Sequence, residues 1–261
     1  MAFYDLSIEA RKQTVGKIYS DCLLSFQNKN MEMLLPHFEN EDTYIRKNAY
    51  LSVGKIYTSQ LFLQKDIINE LATLYTHSDE KVRQTVINSA GEIGKYYFED
   101  VVSFFDQGLF DVHYSVRNAV IGSMKKMGEK NPKPVLEWSK KYLHHPEKEI
   151  RREICHGIEL RGRTHPEDVL PLLEELQFDE TKRVRTTLVH VLGQISYKKN
   201  CLEKVITHLN TWKNNALVHD AIDEIVDVHS EKRYAKFTAL TQQEVIDYID
   251  KNLVVTKPTN P

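Results

Sequence analysis

The chain has 261 residues, 41% hydrophobic and 28% charged, which is enough apolar material for a sizeable core and excludes a wholly disordered polypeptide. Only 10 Gly and 8 Pro argue against a β-rich protein, whose many tight turns would need more of both. Lys and Arg number 35 against 37 Asp and Glu, a net charge of −2, so a strongly basic nucleic-acid coat protein is excluded while a local basic face is not.

Read from the start, Met1-Ala2-Phe3-Tyr4-Asp5 lacks the charged and apolar segments of a secretory signal. No apolar run reaches the roughly 18 residues a membrane helix requires. A cytoplasmic protein without membrane contact is the expectation. The segment Thr14-Val-Gly-Lys-Ile-Tyr19 is echoed by Ser52-Val-Gly-Lys-Ile-Tyr57, 38 residues on. Five further segments share one pattern: an acidic turn, an aliphatic residue, an Arg, then aliphatics at helical spacing. Their arginines are Arg46, Arg83, Arg117, Arg151 and Arg185, separated by 37, 34, 34 and 34 residues.

We denote each of these arginines p. Apolar residues precede it and recur at p+3 and p+7, as in Val82, Val86 and Ala90 or Val184, Leu188 and Leu192. Gly54, Gly91 and Gly193 stand at p+8, where a missing side chain lets a neighbouring helix approach; a mid-helix Gly costs about 1 kcal/mol relative to Ala, so the shared phase points to packing. Between the signature helices lie partner helices over Leu61–Tyr75, Phe98–Phe110, Val135–Leu143, Val169–Leu176 and Leu202–Trp212, with Pro132, Pro134 and Pro166 near their starts. His219 to His229 is in phase with a sixth repeat, with His219 in place of the Arg. Thr241 to Leu253 reads as a closing helix with Thr241 as N-cap.

A helical pair of this length cannot bury its apolar face alone, so the pairs stack. The expectation is an all-α solenoid of about six helix pairs forming one domain over 1–261. It comprises a degenerate first repeat (1–40), core repeats (41–199), a C-terminal repeat and cap (200–253) and a tail (254–261). The pattern resembles HEAT repeats over residues 6 to 253. That resemblance implies that the second helix of each pair lines a concave side. The second-helix windows 42–57, 79–95, 111–130, 147–163 and 179–199 together carry +8, leaving −10 for the rest of the chain. The inner layer is thus expected to be basic and to hold an extended protein or nucleic acid. The five signature arginines read as a structural ladder to turn carboxylates of their own or adjacent repeats. The candidate binding residues are Lys55, Lys125, Lys126, Arg152, His156, Arg161, Arg163, Lys182, Arg183, His190, Gln194, Lys198 and Lys199. A simply solvated face is the alternative for the lysines and arginines among them.

His156 and His190 both fall at p+5 and would be neighbours on adjacent helices, either as phosphate contacts or as hydrogen-bonded spacers. His144-His145 sits in a turn without a cluster of further ligands, so no metal is assigned. Cys22, Cys155 and Cys201 have no CxxC spacing. Nucleotide, zinc-protease and hydrolase motifs are absent, so neither catalytic residue nor cofactor is assigned. Trp138, Trp212, Tyr96-Tyr97-Phe98 and Phe104-Phe105 read as core.

The stretch from Val135-Leu-Glu-Trp-Ser139 to Ile195-Ser196 includes Ile150-Arg-Arg-Glu-Ile-Cys-His-Gly157, Arg161-Gly-Arg163 and Leu192-Gly-Gln-Ile-Ser196. It is similar to the AlkC/AlkD-like DNA glycosylases, and the resemblance implies excision of alkylated bases from DNA in a basic groove. That chemistry asks for a carboxylate to stabilise positive charge on the sugar. Where the AlkC-like pattern has Asn-Asp, this chain has Gly193-Gln194, and a neutral amide supplies no anion. Glu92 and Glu153 are acids of the second helices that could face such a groove. A non-enzymatic scaffold is therefore the primary expectation, with a glycosylase or an inactive DNA-binding relative as the alternative.

Overall fold

A computed structural model describes residues 3–232 and 234–254. The expected tail from residue 255 onward lies outside them. The described residues form helices and turns with no strand among them, and they pack as two compact units divided between Pro134 and Val135.

In the first unit, α1 (Ile8–Asn28), α3 (Thr43–Ser59), α5 (Glu80–Gly94) and α7 (Tyr114–Lys130) lie side by side as one layer. The helices α4 (Gln64–Tyr75) and α6 (Phe98–Gly108) form the other, and the short α2 (Leu35–Phe38) seats against α3 and α5. The periodic residues make the core between layers: Val53, Val82, Val86, Ala90, Val116, Val120 and Met124 are fully buried against Ile67, Leu71, Val101 and Phe105. At about 25 cal/mol per Å² of apolar area removed from water, this shared core is what holds each pair to the next.

In the second unit, α9 (Lys148–Gly157) with α10 (Glu159–Gly162), α12 (Lys182–Ser196) and α14 (Asn215–Ser230) make the corresponding layer. Opposite them stand α11 (Pro166–Glu174), α13 (Leu202–Leu209) and the closing α15 (Gln242–Asn252), while α8 (Pro132–Lys140) runs across the boundary between units. Thr241 caps α15 in a reciprocal capping box with Glu244.

Several boundaries differ from the sequence reading. The helix expected over Val135–Leu143 starts at Pro132, because a Pro at the first position has no N–H to lose, and ends at Lys140. Leu61–Leu63 is a 3-10 turn before α4, and α13 stops at Leu209, so Trp212 is a buried turn residue rather than a helical one. The window 147–163 is two helices broken at Ile158. Tyr96 and Tyr97 are corrected from core to surface, at 65% and 36% exposed, because they occupy the turn that ends at Tyr97, whereas Phe98, Phe104 and Phe105 are buried as expected.

Candidate binding faces on the second helices

Five repeats enter their second helix through the same wiring. The residue at p−6 accepts from the backbone N–H at p−4: Asn40 from Asp42 (2.9 Å), His77 from Asp79 (3.1 Å), Asp111 from His113 (2.8 Å), His145 from Glu147 (3.1 Å) and Asp179 from Thr181 (2.8 Å). In four of these repeats the signature guanidinium then donates to the carbonyls at p−6 and p−5. Arg83 reaches His77 and Ser78 (both 2.9 Å), and Arg151 reaches His145 and Pro146 (both 2.8 Å). Arg46 and Arg117 do the same to Asn40 and Glu41 and to Asp111 and Val112.

The second arm of the guanidinium depends on the p−6 residue of the following repeat. Where that is Asp, the pairing is bidentate: Arg83 to Asp111 at 2.8 and 3.0 Å, Arg151 to Asp179 at 2.6 and 3.2 Å. Arg46 finds His77 there and touches Gln84 at 3.4 Å instead; Arg185 finds Lys213 and reaches Asp220 at 2.7 Å. Burial pushes the Asp111 and Asp179 carboxyls up, but the guanidinium and backbone N–H donors outweigh it and hold both below the ordinary carboxylate range.

The glycine phase has a steric cause. A Cβ on Gly54 would lie 2.6 Å from Cβ of Glu92, and one on Gly193 2.5 Å from Cγ of Glu224. Gly54 and Gly193 therefore each admit an acid from the next helix, and Gly91 admits Ser123. In the first unit Glu92, 9% exposed, is bridged by Lys95 and by Lys126 (3.4 Å), and Lys126 also stands 5.0 Å over the ring of Tyr50. Lys55 lies 5.1 Å over Tyr19, and Lys125 is half-buried. A polar groove of about 320 Å³ between α3 and α5 is lined by Lys47, Tyr50, Gln84 and Asn88.

In the second unit Glu159 occupies p+8, the phase held by Gly in three other repeats. The break at Ile158 turns it inward to 1% exposure, where Arg163 and His156 (3.1 Å) meet its carboxylate. Arg163 also donates to Gln194 (2.8 Å), whose amide donates to the Tyr234 hydroxyl (2.9 Å), and it packs 5.5 Å from the ring of Tyr197. Gln194 is 1% exposed, so the candidate amide is an internal tie rather than a surface contact. His156 and His190 are brought together, ring centroids 6.4 Å apart, with His190 3.2 Å from Glu224. Arg152 pairs with Glu149 (2.9 Å) and Glu153 (3.5 Å), Arg161 with Asp168 (2.6 Å) and Arg183 with Glu149 (3.1 Å). Lys182 and Lys199 are exposed and Lys198 half-buried. The carboxylates of these same helices thus meet much of the positive charge counted along the sequence. Glu149, Glu153 and Glu159 are the partners that the charge count could not place.

Among the described residues no group of three or more His, Cys, Asp or Glu converges as a metal site would require, and no helix is long and apolar enough to cross a membrane. All three cysteines are buried thiols; burial pushes Cys22 up to about 12 and Cys155 up as well.

Stacked helix pairs wired through Arg-pinned turns define a HEAT-type α-solenoid. The family model for Cnd1, non-SMC mitotic condensation complex subunit 1, matches residues 15–142, just under half of the chain. Among solved structures, AlkD2 from Streptococcus mutans is similar in fold at 18% identity and a TM-score of 0.54, covering 74% of this chain and 96% of that one. The MAST/Orbit N-terminal domain is similar at 14% identity and a TM-score of 0.51, covering 77% of this chain and 98% of that one. No curated protein matches the chain.

Proposed function

We propose that this protein is a non-enzymatic repeat scaffold that holds an extended, anionic partner on its second-helix faces. The observation that carries this reading is the division of labour among its cations. The signature arginines are consumed by turns and adjoining repeats, whereas Lys47, Lys55, Lys182 and Lys199 stand exposed on or beside the second helices with no carboxylate partner among the described residues. The partial match to a condensation-complex subunit and the solenoid fold support a scaffold role.

The fold similarity to AlkD2 and the central stretch favour a second reading, a DNA-binding relative of the alkylation-repair glycosylases. Against catalysis in that reading, Gly193-Gln194 offers no carboxylate, and Glu92 and Glu159 are buried in ion pairs. The test is binding of fluorescent duplex DNA, with and without an alkylated base, and of a poly-glutamate peptide across a salt series. Binding that falls steeply with salt and weakens on Lys55→Ala and Lys182→Ala supports an anionic partner. Base release in the same reactions would establish a glycosylase, and no binding to either probe at low salt would overturn the scaffold reading as stated.

A further inference from the structure

The turn that leaves α12 encloses a cavity of about 470 Å³ with the start of α13, the end of α14 and Ala239–Leu240. Its lining includes Lys198, Lys199, Asn200, Leu202, Glu203 and His229. The chain enters α13 through Asn200, in the left-handed region at φ 64°, one of the few residue types that adopts it readily. Cys201, the cap residue of α13, donates its thiol to the Arg163 carbonyl (3.6 Å) and makes no capping hydrogen bond, so the first N–H groups of that helix lack the usual cap and carry its positive end.

At the opposite wall His229 is 8% exposed. Its Nδ1 lies 2.7 Å from the Ile225 carbonyl, which only accepts, so Nδ1 carries the proton and Nε2 is the second, uncommitted nitrogen among the described contacts. Lys198 and Lys199 by themselves would be no more than cations complementing the C-terminal dipole of α12. Their convergence with an uncapped helix start and a buried imidazole on one cavity is what a dipole complement does not require.

We propose that this cavity binds a tetrahedral oxyanion, a phosphate or small phosphate monoester. The Lys198 and Lys199 ammoniums and the first N–H groups of α13 would hold it, with His229 donating from Nε2 once protonated. Glu203, the one carboxylate on the lining, stands in the first turn of α13 and opposes an anion there, so the two lysine ammoniums must outweigh it. Burial holds the His229 imidazole below its ordinary pKa, with the Ile225 carbonyl acting the other way. An anion in the cavity reverses the burial effect, so binding and protonation of His229 are reciprocal. This inference does not rest on the scaffold reading. A chain that binds phosphate here but no extended polyanion would retain the site and lose that reading.

The experiment follows the His229 ring resonances by NMR in the full chain, titrating pH with inorganic phosphate, with glycerol phosphate, and with chloride at matched ionic strength. Phosphate and its monoester are expected to move the His229 titration to higher pH, and chloride is not. Lys198→Ala/Lys199→Ala, two surface changes that leave the core intact, is expected to weaken the phosphate effect about tenfold or more. A Lys182→Ala control is expected to leave it unchanged. A His229 titration unmoved by phosphate, moved equally by chloride, or unaltered by the double substitution would overturn the proposal.

Discussion

The turns and the second-helix faces of this solenoid obey different rules. At the turns, five repeats reproduce one hydrogen bond from the p−4 N–H to the p−6 side chain, and the acceptor is Asn, His or Asp without changing the geometry. On the faces, equivalent phases hold unrelated groups: p+5 reads Leu51, Asn88, Gly122, His156 and His190, and p+8 reads Gly54, Gly91, Lys125, Glu159 and Gly193. The turns must repeat because each one registers a helix pair on the next. The faces are free to vary, so partner-specific chemistry belongs there.

Substitutions at the turns are the strongest way to break that contrast. Arg151→Ala removes a bidentate partner from Asp179 and two carbonyl ties, leaving a carboxylate only 8% exposed, and is expected to cost about 3–5 kcal/mol in denaturant unfolding. Arg46→Ala, whose side-chain partner among the described residues is Gln84, is expected to cost about 1–2 kcal/mol. Equal losses at the two sites would mean that the alternating p−6 aspartates contribute nothing. Next in size, Gly54→Ala forces a Cβ against Glu92 and is expected to destabilise by about 1–3 kcal/mol despite the better helix propensity of Ala. A stabilised variant would show that the glycine phase has no packing role.

Acid sharpens the same comparison. Asp111 and Asp179 have folded pKa values below the unfolded value of about 3.9, so their contribution is fully present above that pH and is lost as pH falls through the folded values. Asp111→Asn with Asp179→Asn is therefore expected to be less stable than the parent near neutrality, with the gap narrowing below about pH 4. A gap that stays constant with pH would contradict the paired-carboxylate account. The smallest effect is on the faces: Lys182→Ala is expected to shift stability by less than about 0.5 kcal/mol while weakening polyanion binding. A stability loss as large as that of Arg151→Ala would erase the distinction between turn and face.

Much of the fold was legible because its signal is local and repeated. The 34-residue spacing, the aliphatic phase and the cap at Thr241 appear in the structure as read, and the acidic turn residues Asp42 and Asp79 turn out to be helix caps as well. The p−6 column of Asn40, His77, Asp111, His145 and Asp179 was open to the same reading, but a register scan that seeks one residue type misses a position filled by three interchangeable acceptors. The face was far less legible. Summing charge along the second helices gave a basic layer, yet Glu92, Glu149 and Glu159 lie within those same helices and pair with Lys126, Arg183 and Arg163.

The sequence by itself determined the repeat, the helix phase and the buried aliphatic stripe, since backbone periodicity and hydrophobic burial act at fixed spacing along the chain. Only the tertiary structure decided which cations remain open, that the break at Ile158 turns Glu159 inward, and how Lys198, Lys199 and His229 come to one cavity. Those outcomes depend on which groups the packing brings close, some one helical turn apart, as Glu159 and Arg163, and others from separate helices, as Glu149 and Arg183. Coulomb and hydrogen-bond energies are set by separation in space, which spacing along the chain does not specify.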